Sequence, residues 1–190
     1  MSTHTQPVMT VADLELMPDD LNRYELVEGE ILVSRSLGLT HQDVLVNLLT
    51  ILVLHLTQHP VGKVYLTPGV ILDDFNSVIP DIAFVSRSRR KKIASGKHIT
   101  GAPDLVVEIV SPGNENARRD RVVKRQVYGR YGVQEYWIVD PLKRSVDVYR
   151  LLESSLELFV TFSHDQEITS PLFPGLAIPA KTLFDTQDEE

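Results

Sequence analysis

Three short stretches put charged side chains where charge is expensive unless it has a use. In APDLVVEIVSP (residues 102–112) a single glutamate, Glu108, interrupts an apolar run. In VIPDIAFVS (78–86) Asp81 follows a proline and opens a second apolar run. In RRDRVVKR (118–125) Lys124 follows two valines within a basic segment. A carboxylate isolated in a buried strand would be driven to its neutral form unless a metal ion or a neighbouring cation offset its charge. Two carboxylates on adjacent strands can hold a Mg2+-type ion, which prefers oxygen ligands and keeps several waters. A lysine close by can orient or deprotonate an attacking water, or stabilise charge building up on a phosphate oxygen. Together these are the parts of metal-assisted phosphodiester hydrolysis.

The elements around these residues decide whether they meet. DLVVEIVS (104–111) is nearly continuous in β-forming residues, as expected of a strand buried on both faces. Alternation puts Asp104, Val106, Glu108 and Val110 on one side, and Leu105, Val107 and Ile109 on the other. Pro112–Gly113 breaks the strand, and a helix starting at Asn114 or just after it is expected to run to about Tyr131. On it Val123, Val127 and Tyr131 define the core-facing stripe, with Asp120 and Lys124 within or beside it and Tyr128 just past. Lys124 can therefore meet the glutamate of the preceding strand, or simply pair with Asp120 four residues back. Asp81 has a plainer reading too, as a strand-entry residue facing water. Asp104 shares the Glu108 face and is a minor candidate, although it can equally cap the strand entrance.

Elsewhere, Thr10 with Asp13 caps a short helix ending before Pro18, and YELVEGEILVS (24–34) reads as a hairpin around Glu28–Gly29. Thr40 is placed to cap a long helix through about His59, with apolar residues at Val44, Leu45, Leu48, Leu49, Leu52 and Leu56. Extended segments near 63–73 and 80–85 precede a polar basic loop to about 101. QEYWIVDP (134–141) is another strand; SVDVYRL (145–151) and LELFVTF (156–162) form an antiparallel extension. The tail holds a short proline-started helix and an acidic end, about 185–190, expected to fray. The order of elements predicts an α/β fold, a mixed central sheet flanked by helices, in a single domain spanning 1–190.

Composition narrows the function classes. The chain has 190 residues, no cysteine and a formal net charge of −7. Disulfides, thiolate metal sites and a cysteine nucleophile are excluded, and the acidic balance argues against nonspecific coating of nucleic acid. No uninterrupted apolar run is long enough for a membrane span, and the N-terminal stretch lacks the pattern of a signal peptide; a cytoplasmic location is expected. His55 and His59 have i,i+4 spacing, but without the HExxH glutamate or an evident third ligand. His41, at the start of the long helix, can line a cleft but reads more readily as a solvated helix-start residue. Ser111 lies outside any nucleophile elbow, and Tyr136 and Trp137 read as core.

PDIAFVS, GAPDLVVEIVSP and RDRVVKRQVYGRYGVQEYWIVDP, with RYELVEGEILVS, THQDVLVNLL and SPLFPGLAI, resemble the Uma family of restriction-endonuclease-like proteins, within the PD-(D/E)xK nuclease superfamily. The resemblance covers most of the chain. It implies a restriction-endonuclease-like fold, with Asp81 as the first metal-binding acid and Glu108 as the second. The superfamily's lysine, two residues after the second acid, would fall on Val110; Lys124 is the natural replacement, because its long flexible stem can bring the ammonium to the same point. Glu25, in the YEL segment, matches a further N-terminal acid that helps hold a metal or its water. The implied activity is Mg2+-dependent hydrolysis of DNA, with Mn2+ as a substitute, in a homodimer. Arg89, Arg90, Lys91, Lys92 and Arg121 are the expected phosphate contacts. The alternative is a non-catalytic binding or assembly module that keeps the fold.

Overall fold

The computed structural model describes residues 8–18, 20, 22–34, 38–94, 96–111 and 120–185, without the side chains of Asp120 and Arg121. The main sheet contains β3 (Gly62–Leu66), β6 (Ile82–Ser86), β8 (Leu105–Ile109), β9 (Glu135–Asp140), β10 (Ser145–Leu152) and β11 (Ser155–Ser163). Their spatial order is β11-β10-β9-β8-β6-β3. β8 and β9 run parallel, and all other neighbours are antiparallel. Every residue of β8 and β9 is buried, which accounts for their lack of polar alternation. The antiparallel β9-β10-β11 extension forms as the sequence predicts.

Two cores lie on opposite faces of this sheet. Ile82, Phe84, Leu105, Val107 and Ile109 join the core beneath helix α2 (Leu39–Gln58), which contributes Val44, Leu45, Leu48 and Leu52. Ala83, Val85, Val106 and Val110 join the other core, with Val127 and Tyr128 of a later helix, Arg125–Tyr131. By alternation Glu108 faces this second side. Among the described residues α2 alone is long and apolar enough to cross a membrane; here one of its faces packs on the sheet.

A second sheet orders β1 (Arg23–Val27), β2 (Glu30–Ser34), β4 (Val70–Asp73), β5 (Asn76–Val78) and β7 (Ile99–Thr100) as β2-β1-β5-β4-β7. The β1–β2 hairpin turns at the expected dipeptide, with Glu28 at φ 52° and Gly29 at φ 76°. Positive φ at both central residues matches the twist of the strands. β5 and β7 have no counterpart in the sequence reading, because such short strands carry too few residues to show a period. β12 (Glu167–Thr169) and β13 (Ala177–Pro179) pair near the C-terminus, before a 3-10 turn over Ala180–Leu183.

α1 (Val11–Leu14) carries the reciprocal Thr10–Asp13 capping box. Two local expectations are corrected. Gly38, not Thr40, stands at the N-cap of α2, so that His41 falls in the first turn and faces inward. The expected basic loop folds over Arg87–Ile93 as helix α3, anchored by buried Ile93. The helix expected from about Asn114 is described only from a π-helical turn, Asp120–Lys124, that leads into α4 (Arg125–Tyr131). Its start and the acidic end at 186–190 lie outside the described residues.

Candidate active site

The antiparallel register of β6 and β8 pairs Ile82 with Val107; continuing it by one residue sets Asp81 opposite Glu108. The two carboxylates therefore come from neighbouring strands. Asp81 is held hard: its Oδ2 accepts the Ile109 N–H at 2.7 Å and lies 3.1 Å from His41 Nε2. Its Oδ1 is 3.7 Å from Arg23 NH1.

Lys124 reaches the same place from the π-helical turn. Its Nζ donates to Glu108 Oε1 at 3.0 Å and to Glu25 Oε1 at 2.9 Å. The lysine side chain is 3% exposed, so these are buried contacts, where charge is screened least. One turn on, Tyr128 donates its hydroxyl to Glu108 Oε1 at 3.0 Å. Residues four apart lie one above the other on a helix, which is why Lys124 and Tyr128 reach one carboxylate. Burial, and then the negative charge of Glu108, holds the Tyr128 phenol well above its ordinary range. A wider-than-α turn often marks a functional site, and here it is the turn that ends on the lysine. The alternative Lys124–Asp120 pairing involves a side chain outside the described residues.

β1 joins the second sheet to this cluster. Glu25 Oε1 accepts the Ile79 N–H at 2.7 Å, and Arg23 donates to the Ile79 carbonyl at 2.8 Å. Side chains two apart on one strand face thus grip the backbone of Ile79 on both sides, in the segment that leads through Pro80 to Asp81. Glu25 both secures that segment and shares Lys124 with Glu108.

Asp81, Glu108, Lys124 and Glu25 are thereby brought together. Of the basic residues expected to touch phosphates, Arg89, Arg90, Lys91 and Lys92 are not part of this cluster. Arg89 ion-pairs with Asp104 at 3.0 Å and donates to the Ala102 carbonyl at 2.8 Å. Asp104 also accepts the Ser86 N–H at 2.7 Å and the Gln134 side chain at 3.0 Å, so it ties the end of β6 to the entrances of β8 and β9. Arg90, Lys91 and Lys92 are exposed on α3. α3 follows the end of β6 opposite Asp81, about 17 Å away along the strand at roughly 3.3 Å per residue. Arg121's side chain lies outside the described residues. Tyr136 and Trp137 are buried in the cores. His55 and His59 stack at 4.4 Å between ring centroids. Sequence reasoning missed Arg23 and Tyr128 as members of the site and set His41 aside. Only Tyr128 had a usable signal, its i,i+4 spacing from Lys124.

A model of the family described as "Uma2: Putative restriction endonuclease" matches residues 11–181. The chain belongs to the Uma2 family. A crystal structure of a protein from Anabaena variabilis, described as a "putative nuclease belonging to DUF820", superimposes with a TM-score of 0.76 at 22% sequence identity. The match covers 93% of this Uma2 chain and 97% of the other. At that identity the likeness concerns the fold, which is restriction-endonuclease-like, as the motifs implied. No curated protein matches the sequence.

Carboxylate oxygens are the donor type that a hard divalent cation takes. Asp81 and Glu108 both carry carboxylates, and among the described residues Asp81 Oδ1 has only the Arg23 guanidinium facing it, at 3.7 Å. Among the described residues no group of three or more His, Cys, Asp or Glu could hold a metal ion. A cation on this pair would take its remaining ligands from water or substrate, as Mg2+ commonly does.

Proposed function

We propose that this Uma2 protein is a metal-dependent endonuclease that hydrolyses DNA phosphodiester bonds, with Asp81 and Glu108 holding Mg2+, or Mn2+ in its place. The convergence of a buried lysine on a carboxylate opposite a second carboxylate carries the reading. When bound, the cation supplies Lewis-acid polarisation of a phosphoryl oxygen and a water of lowered pKa. Lys124, fixed between Glu108 and Glu25, orients the attacking water and offsets charge growing on the phosphoryl group. Donating to two carboxylates suits it to these roles better than to that of a base. Glu25 holds Lys124 and keeps the Ile79–Asp81 segment in register. Hydrolysis forms one P–O bond to the water oxygen and breaks one bridging P–O bond; the water's protons end on the departing sugar hydroxyl and in solvent. Two-fold pairing of the chain, by analogy with the fold, would address two strands.

The test is cleavage of supercoiled, linear, branched and single-stranded DNA with Mg2+ or Mn2+, using wild type beside Asp81→Ala, Glu108→Ala and Lys124→Ala. Metal-dependent cutting by wild type, lost in all three variants, is expected. Equal cutting by all four would identify a contaminant.

One observation favours a second reading, a non-catalytic binding module: the Lys124 ammonium already bridges Glu25 and Glu108. For such a module, Mg2+ would not raise the melting temperature of wild type. For the nuclease it would, and the shift would disappear in Asp81→Ala and Glu108→Ala.

A further inference from the structure

His41 is 2% exposed at its side chain, with Nε2 3.1 Å from Asp81 Oδ2. The Ile109 N–H occupies the same oxygen at 2.7 Å. Two donors thus converge on Oδ2, whereas Oδ1 has Arg23 at 3.7 Å, beyond hydrogen-bonding distance. A carboxylate can only accept, so the hydrogen is on His41 Nε2. Nδ1 is buried with no hydrogen-bond partner among the described residues.

We infer that His41 is a positioning residue: with the Ile109 N–H it fixes the Asp81 carboxylate so that Oδ1, not Oδ2, is presented to a bound cation. This rests on the reading that Asp81 and Glu108 hold a divalent ion. The donor reaches Asp81 from α2, an element that otherwise packs on the opposite core.

The experiment compares wild type with His41→Gln, His41→Asn and His41→Leu. Mn2+ binding is measured by isothermal titration calorimetry, folding by thermal melting, and DNA cleavage as a function of Mn2+ concentration. The glutamine amide nitrogen can occupy the place of Nε2; that of asparagine falls at Nδ1 and stops short of Asp81. Binding by the glutamine variant should stay close to wild type, and the asparagine and leucine variants should bind Mn2+ about 10- to 100-fold more weakly. Saturating Mn2+ should restore most of their cleavage rate. Equal affinity in all four proteins would overturn the positioning role and leave the metal site standing. Absence of Mn2+ binding by wild type would remove the metal site and this inference with it. If the leucine variant fails to fold, the two amides decide, and equal affinity in that pair overturns the inference.

Discussion

The Lys124 ammonium stands 3.0 Å from the Glu108 carboxylate, and both side chains are less than a tenth exposed. The same ammonium lies 2.9 Å from Glu25, which comes from the other sheet. One cation therefore ties a helix to strands of two sheets. Replacing it exposes the cost of the carboxylates it serves. Lys124→Met should destabilise the fold by about 3–5 kcal/mol, the usual penalty for leaving buried charge uncompensated. Adding Glu25→Gln and Glu108→Gln should recover part of that loss. Urea denaturation of the three proteins measures it, and a loss of only about 1 kcal/mol would place Lys124 among ordinary surface pairs.

Tyr128→Phe removes the hydroxyl donated to Glu108. It should cost about 1.5–3 kcal/mol, the range for a hydrogen bond to a charged group. The pH dependence has a definite sign. Folded Tyr128 holds its proton well above the ordinary value of 10.0, chiefly through burial and then Glu108. Above that pH the unfolded chain releases a proton that the folded chain retains. Stability is therefore full below pH 10 and declines as pH rises beyond it. Denaturation curves between pH 9 and 11.5 should show a shallower alkaline decline in the phenylalanine variant, a range of about 2.5 units bracketing ordinary tyrosine ionisation.

Gly129 lies in α4, where alanine ordinarily adds about 0.5–1 kcal/mol. Here a Cβ would meet Leu156 N at 3.0 Å and Ser154 O at 3.2 Å, both backbone atoms of the β10–β11 hairpin. Backbone cannot swing aside as a side chain can. Gly129→Ala should therefore destabilise by about 1–3 kcal/mol. By moving α4 it should also disturb the Lys124 and Tyr128 contacts with Glu108, which tyrosine fluorescence or side-chain NMR would detect. A gain in stability would contradict the close approach.

Burial, with a smaller contribution from His59, lowers the pKa of His55 below its ordinary 6.5. The unfolded chain takes up that proton first as pH falls. The stability associated with neutral His55 is present above pH 6.5 and is lost as pH falls below it, towards the folded-state pKa. His55→Phe should flatten the fall in melting temperature from neutral to mildly acidic pH. An unchanged slope would locate the acid sensitivity elsewhere.

Local patterns carried much of the architecture. The Glu28–Gly29 turn, the Thr10–Asp13 cap and the apolar run of β8 follow from backbone preference and alternation over a few residues. The short strands β5 and β7 escaped, because a pairing such as Leu26 with Ser77 is decided by distant partners. The basic run at 87–92 shows why composition is a poor guide to location. Its charge is plain in the sequence, yet its place at the far end of β6 from Asp81 follows only from strand direction.

The sequence by itself determined that Glu108 faces one side of a buried strand, that Asp81 opens another, and that Lys124 stands beside the apolar stripe of the next helix. Those facts follow from periods of 2 and 3.6 residues, which need no distant contact. Tertiary structure alone decided that Glu25 shares the lysine from 99 positions away, and that His41 reaches Asp81 across 40. It also turned a residue that reads as a solvated helix start into a buried partner of a carboxylate. Such meetings depend on how two sheets and a helix pack together, and packing is a property of the whole chain, with no period to betray it along the sequence.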